Sequence, residues 1–369
     1  MVNPTASPAA ASAEVDYIVA GQGLAGTVMA LTLLRAGRRV LVAAGERAAS
    51  SSRAALGIVC PVTGMRFTPS YRFAEAIGVG RPFYEHWEQV WDTRLWHPAP
   101  IHRFLNNAAE KARWFQNREK VGPIATTFTE AQPWNRWAAY LRPPGKYWIT
   151  LQGGGWLDIP RLLDLARAEL ARRGSLVSAK FDPCDARVED GGGVEWNGTR
   201  AGGGVILCEG YPGLAGNPLL EGLPRRSAKG EVLLIRADLP ATEIIQSGIF
   251  LVPTAEPGLW RAGANYEWAD LTDTPTAAGR AALEATLRRH FAFDWEVVDH
   301  FAGVRPILTD KLPILGRLAG RPGYTVLNGL ASKGALMASW AAATLLRHLE
   351  NDEIASIPPE LDVRRNFPL

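Results

Sequence analysis

The sequence predicts an α/β fold, and three observations near the N-terminus lead to this prediction. The apolar run at 15–20 enters a glycine-rich turn at 21–26, and a stretch of helical character follows at 27–36. A second, β-branched run occupies 40–42. Short apolar runs bounded by glycine are typical of strands, and the longer stretch between them is typical of a helix. The order strand, tight turn, helix, strand is Rossmann-like.

The glycines of the turn have the spacing GxGxxG, and each has a separate physical role. Gly21 permits the tight turn, Gly23 lets the backbone approach a pyrophosphate, and Gly26 lets the helix pack close to the sheet. The first amides of the helix then point at the phosphates. The spacing alone is weak evidence in a chain with 37 glycines, but the flanking strands and helix support it. The predicted dinucleotide contacts are Gly21, Gln22, Gly23, Leu24, Ala25 and Gly26.

The second strand departs from the usual pattern at its end. An acidic residue that binds a ribose hydroxyl is expected there. This strand instead continues into Ala44 and Gly45, and the first carboxylate is Glu46. Two interpretations stay open: Glu46 reaches back to the ribose, or the contact is missing and the adenosine end is held less tightly.

Length and composition restrict the class of protein. The 369 residues, 47% hydrophobic and 21% charged, are enough for a large core in two domains or one large domain. The net charge of +3 is small and no basic block stands out, which argues against a nucleic-acid partner. The three cysteines lack CxxC spacing, which argues against a disulfide framework or a structural zinc site. We expect a disordered tail at 1–13, no membrane span and a cytoplasmic location.

Local signals place further elements along the chain. Asp158 and Pro160 predict the start of a helix that Gly174 ends, and Trp87 and Trp91 have the i, i+4 spacing of one packed helix face. Short strands at 176–181, 187–189, 194–196 and 204–208 are expected to return to the nucleotide-binding domain, and 276–291 and 334–349 are expected to be helices. Strands at 231–236, 249–252 and 260–266 predict a mixed or antiparallel sheet in an overlying domain.

Self-contained catalytic motifs are absent from the sequence. There is no HExxH, no Walker GxxxxGK[ST] and no GxSxG, and the six histidines have no metal-ligand spacing. We therefore predict no metal site. A dinucleotide site without an acid, base or metal motif indicates that the cofactor carries the difficult chemical step.

Three motifs together resemble one family. The fingerprint at 21–26, the Gly303-Val304-Arg305-Pro306 stretch leading to Gly316, and the turn at 328–334 occur in the order seen in the D-amino acid oxidase superfamily of FAD-dependent amine oxidoreductases. This group includes glycine oxidase, sarcosine oxidase and the oxidase domain of a bacterial tRNA-modifying enzyme. The resemblance covers nearly the whole chain. It implies a Rossmann-like FAD-binding domain from 14–65, 150–212 and 300–369, with a discontinuous α+β substrate domain from 66–149 and 213–299.

The resemblance also implies roles for three catalytic candidates. Arg305 matches the family arginine that pairs with the substrate carboxylate; the alternative is a surface arginine before a proline. Tyr266 matches a strand that delivers a side chain opposite the flavin, and a buried core tyrosine is the alternative. Lys333 matches the turn before the last helix, where its charge would stabilise the reduced flavin or assist the reaction with oxygen. A solvated lysine is the alternative.

The remaining cofactor contacts are likewise implied by the resemblance. Ser52 and Arg53 match the segment that contacts phosphate and ribose, Val188 matches a strand that holds the adenine, and the turn at 329–334 precedes a helix whose N-terminal end lies under the flavin pyrimidine ring. Members with covalent flavin use a late cysteine, whereas the last cysteine here is Cys208. Noncovalent FAD is therefore expected. The other implied contacts are Gly57, Ile58, Glu209, Gly210, Gly329, Ser332, Lys333 and Gly334.

The activity implied by the resemblance is oxidation of the C–N bond of a small amino acid or N-alkyl amino acid, by hydride transfer to flavin. Its partners would be a small-molecule carboxylate substrate and O₂ or another electron acceptor. Three alternatives stay open. They are a tRNA carboxymethylaminomethyl-base oxidoreductase, a 2-hydroxy acid oxidoreductase, and a nicotinamide-binding dehydrogenase or redox-silent NAD-binding protein. The oligomeric state is left open.

Overall fold

The structure is a computed structural model that describes residues 13–45, 50–121, 125–130, 137–142, 147–239, 243–351 and 357–366. The tail expected at 1–13 lies outside the described residues, except for Ala13, which begins the first strand. Among the described residues, no helix combines the length and the apolar character needed to cross a membrane.

The helices that local signals predicted are present, together with others that were not predicted. Asp158 Oδ1 accepts a hydrogen bond from Arg161 N (3.1 Å) and so caps the predicted helix at its start. The rings of Trp87 and Trp91 lie 4.9 Å apart within one helix, which confirms a packed face. The helices are α1 Leu24–Arg35, α2 Ser51–Ala54, α3 Phe73–Trp91, α4 Ala108–Val121, α5 Ile159–Arg172, α6 Gly210–Gly216, α7 Ala277–His290 and α8 Gly334–Asn351.

The strands form two large sheets and three small ones. They are β1 Ala13–Val15, β2 Tyr17–Ala20, β3 Val40–Ala43, β4 Ile58–Val59, β5 Val62–Thr63, β6 Thr68–Pro69, β7 Trp96–Pro98, β8 Ile101–Leu105, β9 Ala125–Glu130, β10 Tyr147–Leu151, β11 Gly155–Leu157, β12 Leu176–Val177, β13 Arg187–Val188, β14 Val194–Trp196, β15 Thr199–Ala201, β16 Val205–Leu207, β17 Ala228–Arg236, β18 Ile244–Ser247, β19 Ile249–Pro253, β20 Leu259–Gly263, β21 Glu296–Arg305, β22 Ile314–Arg317 and β23 Tyr324–Asn328.

The six-stranded sheet has the order β12-β3-β2-β16-β23-β22, and only the edge strand β22 is antiparallel to its neighbour. Its strands are apolar on both faces, as expected for a covered parallel sheet. One face packs against α1, α5 and α8, and the other packs against the small sheet that contains β14. The carboxyl ends of β2, β3, β16 and β23 therefore meet at one edge, where ligands of such sheets bind.

The eight-stranded sheet has the order β21-β17-β20-β19-β18-β8-β10-β9. Only β18 and β8 pair in parallel, so the expectation of a mixed or antiparallel sheet is met by a mixed one. The strand predicted at 260–266 ends at Gly263. The α/β fold class is confirmed, and the domain limits remain a prediction, with β21 crossing the limit proposed at residue 300.

Candidate active site

A cavity of about 940 Å³ lies between the carboxyl edge of the six-stranded sheet and one face of the eight-stranded sheet. The fingerprint turn, the segment after β3 and the start of α8 line it from the first sheet. Side chains of β8, β17, β18, β19 and β21 line it from the second. Both halves of the molecule thus contribute to one site.

Close backbone contacts require glycine at two positions of the fingerprint, Gly21 and Gly26. Gly21 has a φ of 99°, and a Cβ there would lie 2.8 Å from the carbonyl oxygen of Cys208. At Gly26, a Cβ would lie 1.9 Å from the carbonyl oxygen of Gly21, so only glycine lets α1 pack this closely. Gly21, Gln22, Gly23, Leu24 and Ala25 line the cavity, whereas Gly26 does not.

The start of α1 is suited to bind an anion. Its N-cap, Gly23, supplies no side-chain hydrogen bond, and the first turn holds no acidic residue. Ser52 Oγ accepts from Leu24 N at 2.9 Å, which holds α2 against this turn. The remaining amides and the helix dipole face the cavity, as in phosphate sites.

The segment around α2 brings four predicted residues to the cavity: Ser52, Arg53, Gly57 and Ile58. The Arg53 guanidinium forms an ion pair with Asp164 of α5, which holds α2 at the rim. Gly57 has a φ of 71°, and a Cβ there would lie 2.1 Å from the carbonyl oxygen of Leu157, so the close approach requires glycine.

The end of β3 leaves both interpretations of the ribose contact open. Ala44 and Gly45 line the cavity, and Glu46 lies outside the described residues. Val188 is 40% exposed and does not line the cavity, so its expected adenine contact does not match its position. The reason is sheet pairing: β13 pairs with β14 in a separate sheet, whereas β12 pairs with β3 and leads to Lys180 and Phe181 at the cavity.

Glu209 and Gly210 follow β16 and line the cavity as expected. Burial raises the pKa of the Glu209 carboxyl, and Asn217 Nδ2 donates to its Oε2 at 2.6 Å. Asn328 Nδ2 donates to the carbonyl oxygen of Gly210 at 3.0 Å, which joins the ends of β16 and β23. Gly329 is not part of the cavity wall; its φ of 74° turns the chain after β23.

Arg305 ends β21 and lines the cavity, so it is not a surface arginine. Its Nη1 donates to the Lys229 carbonyl oxygen (3.1 Å) and its Nη2 to the Asn265 carbonyl oxygen (3.2 Å). Its Cζ lies 4.1 Å from the centre of the Tyr266 ring. Burial lowers the pKa of this guanidinium, although an arginine remains charged in a protein. A Cβ at Gly230 would lie 2.0 Å from Nη2, so glycine at this position makes the room.

Tyr266 lines the cavity and is 48% exposed, which excludes the core alternative. Its ring stacks on Trp268 with 5.7 Å between ring centres. Tyr266 therefore presents its ring to Arg305 on one side of the cavity.

Ser332, Lys333 and Gly334 line the cavity at the start of α8, whose first turn holds no acidic residue. Burial lowers the pKa of the Lys333 ammonium, and the charge of Lys311 lowers it further. The helix dipole and the lysine together make this end of the cavity favourable for negative charge.

Sequence reasoning missed several polar residues of the cavity, including Arg103, Arg167, Lys180 and Gln246. Arg167 Nη1 donates to Gln22 Oε1 at 2.6 Å and so orients the fingerprint side chain. None of the four lies in a recognisable motif. Only their positions in α5, after β12 and in the eight-stranded sheet bring them here.

Comparison with known proteins decides the family. The profile of the DAO family, described as FAD dependent oxidoreductase, matches residues 16–349. The chain belongs to this family of FAD-dependent oxidoreductases. The resemblance inferred from the three motifs is thereby confirmed.

Individual relatives share about a quarter of their residues with this chain. Glycine oxidase of Pseudomonas aeruginosa is 25% identical over 93% of this chain and 96% of its own. The tRNA 5-methylaminomethyl-2-thiouridine biosynthesis bifunctional protein of Azoarcus sp. is 27% identical over 94% of this chain, which spans 59% of that relative. Among solved structures, glycine oxidase from Geobacillus kaustophilus has a TM-score of 0.77 at 19% identity, covering 96% of this chain and 99% of its own. Iminodiacetate oxidase from Chelativorans sp. has a TM-score of 0.74 at 20% identity, covering 94% and 98%.

The residues of the cavity fit the family's FAD. Gly21 and Gly23 leave the backbone of the fingerprint bare, and the start of α1 offers free amides for the pyrophosphate. The cavity then extends from Gly45 and Lys180, where an adenosine would lie, to the start of α8 and Arg305.

Proposed function

We propose that this protein oxidises the C–N bond of a small amino acid or N-alkyl amino acid whose carboxylate is bound by Arg305, with FAD held noncovalently. The main support for this proposal is the position of Arg305. Its guanidinium lies in the same cavity as the fingerprint turn and the start of α8. Glycine oxidases and iminodiacetate oxidase among the similar proteins act on substrates of this class, as their names state.

The guanidinium of Arg305 is fixed before any substrate binds. The carbonyl oxygens of Lys229 and Asn265 each accept from one of its terminal nitrogens, and the Tyr266 ring lies against its plane. Within the part of the chain that the structure describes, no carboxylate forms an ion pair with it. A planar fork held in this way suits bidentate binding of a carboxylate.

The protein's contribution to the reaction is position and electrostatics. When bound, FAD supplies the two-electron acceptor for a hydride. Arg305 orients the carboxylate so that the α-hydrogen faces the acceptor. Loss of this hydride from the α-carbon, with the lone pair of the neutral amine forming a C=N bond, would give a protonated imine. Water would then hydrolyse it to a carbonyl compound and an ammonium ion. No protein base is required in this scheme.

The positive charge at the start of α8 would stabilise the reduced form of the electron acceptor. The helix dipole and Lys333 favour the negative charge that two-electron reduction brings to this end of the cavity. Noncovalent attachment is supported by Cys208, which is the last cysteine, is 2% exposed and has a thiol pKa that burial raises.

The test is the absorbance spectrum of the purified protein, before and after a pool of amino acids is added without oxygen. We expect a two-banded flavin spectrum that bleaches, and dividing the pool then identifies the substrate. An unbleached flavin contradicts amino acid oxidation and directs the search to 2-hydroxy acids or tRNA. A colourless protein that binds NAD contradicts the proposal altogether.

Substitution of Arg305 tests the carboxylate contact. Arg305→Ala is expected to lower kcat/KM for the identified substrate by about 1,000-fold, because the carboxylate loses a charged hydrogen-bonding partner. Arg236→Ala is the matched control, since Arg236 is an exposed residue at the opposite end of β17 from the Arg305 contact. A variant Arg305→Ala with unchanged apparent affinity would show that the clamp is assigned to the wrong residue.

A further inference from the structure

A second arginine lies in the same cavity. Arg103 in β8 is 7% exposed and lines the cavity beside Gln246 and Phe250. Its guanidinium lies 4.1 Å from the centre of the Phe67 ring, and Nη1 donates to the carbonyl oxygen of Gly64 at 2.9 Å. These two contacts hold its plane against the hairpin β5–β6.

Within the part of the chain that the structure describes, most N–H donors of Arg103 have no acceptor. A guanidinium carries five N–H donors. Among the described residues, only the Gly64 carbonyl oxygen accepts from Arg103, and no carboxylate forms an ion pair with it. The acid that acts on it electrostatically is Glu110, whose Oε2 already accepts from Asn106 N at 2.8 Å. A buried charge without a partner is costly, so an anion bound in the cavity would satisfy it.

Arg261 is also an arginine of the eight-stranded sheet, but all of its contacts are within the protein. Arg261 Nη1 donates to two carbonyl oxygens, those of Arg53 (2.9 Å) and Ala55 (3.0 Å), and its guanidinium lies over the Phe301 ring. Arg261 does not line the cavity. Arg103 also contacts an aromatic ring and a carbonyl oxygen, but it lines the cavity, where its remaining N–H donors can bind a ligand.

The register of the eight-stranded sheet relates Arg103 to Arg305. Arg103 pairs with Gln246, Gln246 with Phe250 and Phe250 with Gly263, and the row continues through Val232 to Phe301. Paired residues face the same side of a sheet, and so do residues two apart on one strand. Arg305 is four positions beyond Phe301, so both arginines project from the same face.

Five strand-to-strand steps separate β8 from β21. At about 4.8 Å a step, the backbones lie roughly 24 Å apart along the sheet, a distance that the two long side chains and the sheet twist shorten. Phe250 and Gln246 lie on the cavity wall between the two arginines. A separation on this scale suits a ligand with two acidic groups several bonds apart better than one small carboxylate.

We propose that Arg103 binds a second carboxylate of the substrate, so that the preferred substrates are amino acids with an acidic side chain or an acidic N-substituent. This inference rests on the proposed function, since Arg305 is taken to hold the first carboxylate. Arg103 thereby determines specificity, and the hydride transfer takes place at the Arg305 end of the cavity.

The test compares substrates that differ only in the second acid. One pair is 2-aminohexanoate and 2-aminoadipate, each as both enantiomers; the other is N-butylglycine and N-(3-carboxypropyl)glycine. We expect the native protein to have the higher kcat/KM for the dicarboxylate of each pair. Arg103→Met should reduce this preference about 100-fold, because the second carboxylate loses its buried partner. Arg118→Met is the matched control, because Arg118 also lies over an aromatic ring, that of Phe115, but on the exposed surface, and it should leave the preference intact.

Two outcomes would overturn the inference. The first is a native protein that prefers the monocarboxylate of each pair or does not discriminate. The second is an Arg103→Met variant that loses the same factor on both members, which would make Arg103 only an anchor of the hairpin. Arg103→Lys keeps the charge and supplies the measurement if the Met variant does not fold.

Failure of the proposed function is distinguishable from failure of this inference. If no amino acid is oxidised, the proposed function fails, and binding of unreactive acids then tests Arg103 directly. Calorimetry should show that glutarate binds more tightly than butyrate to the native protein and that Arg103→Met removes the difference. Equal affinities for the two acids would contradict the second anion site.

Discussion

Lys333 is the cationic side chain placed directly before α8, and its surroundings disfavour its charge. Burial and the neighbouring charge of Lys311 both lower the pKa of its ammonium. Negative charge added near such an ammonium favours its protonated form. This is the physical basis for a role in the reaction of the reduced protein with oxygen, in which charge leaves the flavin end of the cavity.

We predict that Lys333→Met slows the reoxidation of the substrate-reduced protein by O₂ roughly 10- to 100-fold, because a preorganised charge is lost. In the native protein, this rate should fall as the pH rises through the lowered pKa of Lys333, that is, at a pH below the 10.5 of an ordinary lysine. Stopped-flow absorbance between pH 7 and pH 11 measures both effects.

Lys311→Met is the control for the lysine assignment. Removing its charge should raise the pKa of Lys333 and shift the fall in rate to higher pH. A Lys333→Met variant that keeps the native rate and its pH dependence would show that Lys333 is a spectator in the oxygen reaction.

Strand β17 makes room for Arg305 because Gly230 has no side chain. Gly230 pairs with Gly303 on β21, and Arg305 folds back over it. We predict that Gly230→Ala lowers kcat/KM about 100-fold, because the methyl group would lie 2.0 Å from Arg305 Nη2 and must displace the guanidinium. The flavin spectrum should remain, since Gly230 is remote in sequence and sheet from the fingerprint turn. Steady-state kinetics and absorbance test this.

Gly78→Ala is the matched control for a glycine-to-alanine change. Gly78 lies in α3, is exposed, and has open space where a Cβ would be built. It should keep full activity and gain up to about 1 kcal/mol of stability from higher helix propensity. If Gly230→Ala behaved like Gly78→Ala, the close packing of Arg305 on β17 would not matter for substrate binding.

Elements with local signals could be predicted from the sequence, and those that depend on distant pairing could not. The fingerprint glycines, the Asp158 cap and the α8 turn are each read within a few residues, and the structure has them as predicted. Val188 and Lys180 are the opposite case. Which of them reaches the cavity depends on whether β12 or β13 pairs with β3, a contact with residues more than 130 positions away. Nothing in their immediate sequence encodes that choice.

The site lies where the two large sheets meet, and both sheets contribute residues to it. Arg305 and Arg103 come from one sheet. The fingerprint and α8 follow β2 and β23 of the other sheet, which are two steps apart in the sheet but near opposite ends of the chain. The three family motifs therefore indicated the arrangement of the site from the sequence. Arg103 was missed because its place depends on the parallel pairing of β8 with β18, which joins segments far apart in the chain.

Arg261 connects the two halves, because it lies on β20 and donates to the carbonyl oxygens of Arg53 and Ala55 beside the fingerprint turn. We predict that Arg261→Met weakens FAD binding about 10-fold, since two hydrogen bonds from a charged donor no longer hold the α2 segment in place. Fluorescence titration of the apoprotein with FAD measures the Kd. Arg288→Met is the control, because Arg288 also lies over an aromatic ring, that of Trp295, but on the exposed side of α7. If both variants bound FAD with the native Kd, the α2 segment would be held by the first sheet alone, and the site would not require this connection between the sheets.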